Sequence, residues 1–292
     1  MSANSINPPV VVGIDGSHTA DEALRWAAVD AVHHDAPLHI VHAVGAPADF
    51  GPGVDFHRVD HDEYLKACAV RLTAARRFAT AAAAPVDDLD IETFLVEAGP
   101  ITTLRDRSKD ARLLVVGSHG MGAFRRGLLG SVSTAMARHA QCPVAVVPEP
   151  ERYSPHRLRG PVVVGVDGSP CSMRAVDIAF DEASRRGVPV RAVLTWSEFN
   201  RYIPRTEMQA EAETLLSETL AGHAEQYPDL EVQRVVTEDR PAKRLLEEGE
   251  VAQLIVVGSH GRGGFAGMTL GSVSQAVLHA ADCPLIIARS QS

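Results

Sequence analysis

Val11-Val-Gly-Ile-Asp-Gly-Ser17 is written a second time in the chain, as Val163-Val-Gly-Val-Asp-Gly-Ser169, and this pair decides the fold. The offset of 152 residues holds without a gap through Pro37 and Pro189. Further on, Leu114-Val-Val-Gly-Ser-His-Gly120 returns as Ile255-Val-Val-Gly-Ser-His-Gly261, and Gly130-Ser-Val-Ser133 returns as Gly271-Ser-Val-Ser274. Cys142-Pro143 likewise returns as Cys283-Pro284, and the offset is now 141. The first copy therefore carries 11 extra residues between its second and third strands, in or near 45–62, a Gly/Pro/His/Asp-rich stretch that reads as a loop. Solenoid repeats run to about 20–50 residues, so a repeat of this length means two whole domains of one fold. They are placed at 1–147 and 162–292, joined by a linker rich in proline and charge at 148–161.

Within each copy, short apolar runs alternate with longer stretches of helical period. Residues 10–14 are too short and too uniformly β-branched for a surface helix and fit a strand buried on both faces. Ser17 is a good N-cap, and after it Ala20, Ala23, Leu24, Ala27, Ala28 and Ala31 fall on one helical stripe. The same reading predicts strands at 38–43, 91–96, 113–116 and 143–147, and helices at about 58–83, 101–110 and 131–140. The order repeats over 162–288. Strands alternating with helices of this length imply right-handed crossovers and a parallel sheet covered on both faces.

The composition is that of a globular protein: 45% of the 292 residues are hydrophobic, with 28 Lys plus Arg against 37 Asp plus Glu. Residues 1–150 hold 13 basic and 18 acidic side chains and the remainder 15 and 19, so the halves carry −5 and −4. Neither has the basic excess that binding a phosphate backbone uses, which excludes nucleic acid as an expected partner. The first residues lack the basic and apolar regions of a secretory signal, and no apolar run approaches the ~18 residues of a membrane span. The expected location is cytoplasmic, with no membrane partner. Cys68, Cys142, Cys171 and Cys283 form no CxxC or metal-ligand spacing and read as reduced thiols. Only three of the 28 basic residues are lysines, Lys66, Lys109 and Lys243.

Open α/β sheets bind ligands beyond the carboxyl ends of their strands, where the strand order reverses. The first strand ends in Gly13-Ile-Asp15-Gly-Ser17 and the fourth in Gly117-Ser118-His119-Gly120, nine residues before Gly130-Ser131-Val132-Ser133. Glycine lets backbone approach an anion, and Ser131 to Ser133 open a helix whose N–H groups face whatever lies in front. A di- or triphosphate suits such a place. Gly165, Asp167, Gly258, Ser259, His260, Gly261, Gly271, Ser272, Val273 and Ser274 supply the same set in the second half. Other phosphate loops fit less well. Gly122 and Gly127 have Walker A spacing, but Leu128-Leu129 stand where Lys and Ser/Thr belong. Gly261-Arg-Gly263-Gly-Phe-Ala266 meets a loose dinucleotide fingerprint, yet follows the fourth strand and lacks the later acidic residue.

Gly-x₂-Gly-x₉-Gly-Ser, present as Gly117/Gly120/Gly130-Ser131 and again as Gly258/Gly261/Gly271-Ser272, resembles the ATP-binding signature of the universal stress protein family. The first-strand Val-Gly-Ile/Val-Asp-Gly-Ser matches too, and the resemblance covers nearly the whole chain as a tandem pair. It implies two Rossmann-like α/β domains, each a five-stranded parallel sheet of order 3-2-1-4-5, with ATP across the ends of strands one and four. Asp15 and Asp167 would then bind the ribose or adenine side, with Gly13 and Gly165 near the nucleotide and the backbone of Ala43 and Thr195 facing adenine. The glycine loops and Gly130 to Ser133, with their second-half counterparts, would hold ribose and phosphates. The resemblance further implies an ATP-binding regulator or sensor of stress and growth arrest rather than an enzyme, a homodimer, and a regulatory protein partner of unknown kind. It implies docking of domains through the fifth strands, 144–147 and 285–288, and allows slow ATP hydrolysis with Mg²⁺ bridging phosphates. The turn after the third strand reads Gly99-Pro100 in one half and Arg240-Pro241 in the other, which the resemblance makes peripheral to the phosphates. Arg125, Arg126 and Arg262 lie in the unequal nine-residue spacers and are where a difference between the two sites is expected.

Plainer readings stand beside these. The plainer alternative for Asp15 and Asp167 is to cap the following helix. His119 and His260 have no recognisable nucleophile and orienter, so a loop contact is expected. His57 and His61 have the i, i+4 spacing of a helical metal pair, but no HExxH glutamate accompanies them and the second half lacks the pair. Cys171, near a helix start, reads as an inert small residue, and Cys142 and Cys283 as buried packing.

Overall fold

The structure is a computed structural model and describes residues 7–45, 61–84, 89–120, 129–149, 159–196, 204–262 and 270–289. By the density of its contacts the chain divides into two compact units, 1–149 and 150–292.

Unit 1 runs β1 (Val10–Gly13), α1 (His18–His33), β2 (Leu38–Ala43), α2 (His61–Ala82), β3 (Ile91–Val96), α3 (Pro100–Arg107), β4 (Leu113–Gly117), α4 (Ser131–His139) and β5 (Val144–Val147). All five strands are parallel, in the order β3-β2-β1-β4-β5. Val10 pairs with Leu38 on one side and Leu113 on the other. The apolar runs have no polar alternation because both faces are covered: α1 and α2 pack together on one, α3 and α4 on the other. Val10, Val12, Leu38, Ile40, Leu114 and Val115 have no accessible surface. The helical stripe of α1 is buried as its spacing predicts, with Ala23, Leu24, Ala27, Ala28 and Ala31 all at 0% exposure.

Unit 2 repeats this with β6 (Val162–Gly165), α5 (Pro170–Arg186), β7 (Val190–Trp196), α6 (Arg205–Gln226), β8 (Val232–Glu238), α7 (Pro241–Gly249), β9 (Leu254–Gly258), α8 (Ser272–Ala280) and β10 (Leu285–Ala288). The order β8-β7-β6-β9-β10 is again 3-2-1-4-5. The helices α2 and α6 have equal length and bury Cys68, Leu72 and Ala75 where α6 buries Ala212, Leu216 and Thr219, an offset of 144. Eight of the 11 extra residues of unit 1 therefore precede α2 and three follow it. Most of the anticipated loop at 45–62 and of the linker at 148–161 lies outside the described residues.

Two helix ends show how local chemistry sets the boundaries. Ser17 and Ser169 are N-caps with extended backbone, and their hydroxyls accept the N–H of Ala20 and Ser172, each at 3.2 Å. At the other end α5 stops at Gly187 with φ +64°, while the chain leaving α1 passes through Asp35 at the equivalent position with φ +49°. The Asn7 side-chain amide donates to the carbonyls of His34 and Asp35 at 3.0 and 3.1 Å and braces that strained end.

Candidate functional site

The chain leaves β1 in one direction to build β2 and β3, and in the other to build β4 and β5, so a crevice opens between the carboxyl ends of β1 and β4. In unit 1 this crevice is a cavity of about 260 Å³. Its walls include Gly13 and Asp15 after β1, Val41 and Ala43 at the end of β2, Gly117, His119 and Gly120 after β4, and Gly130, Ser131, Val132 and Ser133 at the start of α4. Unit 2 has a cavity of about 310 Å³ in the same place. Gly165, Asp167, Val193, Thr195, Gly258, His260, Gly261, Gly271, Ser272, Val273 and Ser274 line it, together with Arg262.

Each wall is held by bonds that follow from the local sequence. The Asp15 carboxylate accepts the Ser17 N–H at 2.9 Å and that of Asp167 accepts the Ser169 N–H at 2.9 Å, so both acids brace the turn after the first strand. The serines cap the helices, which answers the capping alternative for the two aspartates. The glycine loop is fastened to the first helix: Thr19 Oγ1 donates to the His119 carbonyl at 2.5 Å, and Ser169 Oγ to the His260 carbonyl at 3.3 Å. Ser133 and Ser274 tie the fourth helix to the strand before it, donating to the carbonyls of Gly117 and Gly258 at 2.6 and 2.5 Å. Gly130 and Gly271 are the N-caps of α4 and α8, and neither helix has a side-chain cap. Each cavity thus faces a helix N-terminus, the partially positive end that favours an anion.

The glycines at 117 and 258 are called for by packing alone. A Cβ on Gly117 would fall 2.8 Å from backbone atoms of Thr19, and one on Gly258 2.8 Å from the Cys171 backbone. The first turn of α1 or α5 occupies the room a side chain would need.

Ser118 and Ser259 were expected among the ligand-facing residues, but they do not line either cavity. Their N–H groups go to the carbonyls of Val147 and Ala288, and their hydroxyls meet Nδ1 of His119 and His260 at 2.8 and 3.0 Å. They lock the loop from behind. Among the described residues, the sequence reading missed the floor of the cavities: Pro100 and Leu104 of α3, and Pro241 and Leu245 of α7. The turn after the third strand does reach the cavity, because the helix it opens runs under the end of β1 or β6. The Gly-Pro to Arg-Pro difference was the available signal for it.

The remaining candidates separate from the site. His57, Arg125 and Arg126 lie outside the described residues. His61 is exposed, with Nε2 3.0 Å from Glu97 Oε2. The four cysteines are in no disulfide and all are buried, Cys171 with its Sγ 3.5 Å from Ser259 Oγ behind the glycine loop. No helix among the described residues is long and apolar enough to cross a membrane.

Two doubly wound α/β units in tandem, each with a glycine-lined cavity at its switch point, define the class of this protein. The model of the family described as the universal stress protein family matches residues 7–148 and 159–289. The chain belongs to that family, whose role is in the stress response. One universal stress protein of Mycobacterium tuberculosis strain H37Rv is 45% identical over 290 residues, 96% of each chain. A second from the same strain is 42% identical over 299 residues, 99% of each. In fold, the chain is similar to the crystal structure of a universal stress protein from Archaeoglobus fulgidus, with a TM-score of 0.73 at 18% identity, covering 97% and 98% of the two chains.

Proposed function

We propose that each unit binds one ATP in the cavity at its switch point, and that the chain acts as a nucleotide-occupied regulator or sensor in the stress response. The observation that carries the reading is the same convergence in both units: a braced carboxylate on one wall, a glycine loop on a second, and a helix start without a side-chain cap on the third. The apolar floor of Leu104 or Leu245 suits the base, and the polar rim suits ribose and phosphates. Ser131 and Ser272, exposed at the first helical position, face the phosphate place. A Mg²⁺ accompanying ATP would be held mainly by phosphate oxygens, since Asp15 and Asp167 are the only carboxylates on the walls among the described residues.

Equilibrium titration tests it. The unaltered chain is expected to take two ATP, Ser131→Glu one, Ser272→Glu one, and the double variant none. A carboxylate at the first helical position favours the helix itself while repelling phosphate, so the loss comes without unfolding. Unchanged stoichiometry in both single variants would overturn the site assignment.

A further inference from the structure

In each unit a guanidinium lies over the turn that follows the first strand, and the two units deliver it from different elements. The turn glycines, Gly16 and Gly168, have φ +89° and +76°. A Cβ on Gly16 would fall 2.8 Å from Arg71 Nε, and one on Gly168 would fall 2.6 Å from Arg262 Nη2. Arg71 comes from the middle of α2, and its Nη1 donates to the Asp15 carbonyl at 3.2 Å. Arg262 belongs to the glycine loop itself, directly after Gly261, and its N–H donates to Asp167 Oδ2 at 3.2 Å.

The duplication shows that these are not equivalent residues. At the helix offset of 144, Arg71 corresponds to Leu215, whose Cδ1 lies 3.1 Å from the same Cβ position on Gly168. At the loop offset of 141, Arg262 corresponds to Met121. An arginine and an apolar residue have thus exchanged elements while the guanidinium stayed over the turn. Filling space over a glycine does not call for a charge in both cases. The wall beneath does, because each turn carries a carboxylate into a cavity whose opposite wall suits an anion.

We propose that Arg71 in unit 1 and Arg262 in unit 2 are positioning residues of the nucleotide sites. Each holds the Asp-Gly-Ser turn and offsets the charge of its carboxylate, so that each favours an anionic nucleotide over the neutral nucleoside. This rests on the ATP reading above. The interaction acts through the field at a partly exposed site, so it weakens with added salt.

Dissociation constants for ATP and adenosine are measured one unit at a time, unit 1 in the Ser272→Glu background and unit 2 in the Ser131→Glu background. Arg71→Leu is expected to weaken ATP binding in unit 1 by about fivefold at low salt and adenosine by less than about twofold, and Arg262→Met to do the same in unit 2. Arg71→Gln removes the charge with less change of shape and should give the same ratio should the leucine variant fold poorly. The relocated pair, Arg262→Met with Leu215→Arg, supplies the guanidinium from α6 and should recover ATP affinity in unit 2. Equal losses for ATP and adenosine, or no recovery by the relocated pair in a folded protein, would overturn the assignment. Absence of ATP binding by the unaltered chain would instead defeat the ATP reading itself.

Discussion

Between their first and second helices the two units are filled in opposite ways. Unit 1 places Ala28, Ala79 and Ala83 there, all buried, whereas unit 2 places Phe180, His223 and Tyr227 at the equivalent positions. The Phe180 ring lies 4.6 Å from that of His223 and 5.8 Å from that of Tyr227. Over the same span of evolution the glycine loops 117–120 and 258–261 have stayed identical. A helix layer accepts any set of side chains that fills its volume. A loop whose backbone must fit against another backbone accepts almost none.

That contrast can be broken most forcefully at the aromatic cluster. Phe180→Ala is expected to destabilise unit 2 by about 3–5 kcal/mol, the cost of a large buried cavity. The mirror change, Ala28→Phe, should cost unit 1 about 1–3 kcal/mol by overpacking. Denaturant unfolding checks both, followed by Trp26 for unit 1 in a Trp196→Phe background and by Trp196 for unit 2 in a Trp26→Phe background. A tolerated Ala28→Phe would mean that the alanine layer leaves room and that the two fillings are not volume-matched.

A smaller effect is expected at the ends of α1 and α5. Asp35 occupies a left-handed conformation that Gly187 adopts without strain. Gly187→Asp should cost unit 2 about 1 kcal/mol, and Asp35→Gly should stabilise unit 1 by about 0.5–1 kcal/mol. No atom lies within 4 Å of a Cβ at Gly187, so the first change reports conformation alone. An unchanged midpoint for both would show that the Asn7 brace, not the dihedral, governs this end.

The smallest effect separates the units by pH. His39, edge-on to Phe94 with centroids 5.1 Å apart, has its pKa lowered by burial. The equivalent residue of unit 2 is Arg191, which pairs with Glu248 at 2.6 Å in place of the imidazole. A histidine whose folded pKa is depressed binds fewer protons in the native state, so its contribution is present above the unfolded pKa of about 6.5 and is lost as pH falls through the folded value. Unit 1 should therefore lose stability on acidification from pH 7 to 5, and His39→Gln should flatten that slope. A slope unchanged by the substitution would assign it to other groups.

The strands and the loops that rim the cavities were legible because they repeat: two copies of Val-Val-Gly-x-Asp-Gly-Ser and of Val-Val-Gly-Ser-His-Gly mark the ends of the first and fourth strands in each half, while the order 3-2-1-4-5 came from the family resemblance. Leu104 and Leu245 were hidden, since nothing in a helical apolar position distinguishes a residue under the β1 end from ordinary core. Ser118 and Ser259 misled for the opposite reason. They stand inside the glycine signature, yet at the strand end their side chains turn toward the loop histidines rather than the cavity. Arg71 was invisible because α2 and α6 share too few residues to align until their burial patterns are known. Of the three spacer arginines, Arg262 lines the unit 2 cavity and the other two lie outside the described residues, while the arginine over the unit 1 turn comes from a helix.

Two separate subunits with one sequence can alter a site only by altering both copies at once. Carrying both units on one polypeptide removes that constraint, since each half is inherited in a fixed one-to-one ratio but mutates on its own. The exchange of Arg71/Met121 for Leu215/Arg262 is a divergence that two copies of one sequence could not carry. A chain built this way keeps two unlike cavities together in every molecule.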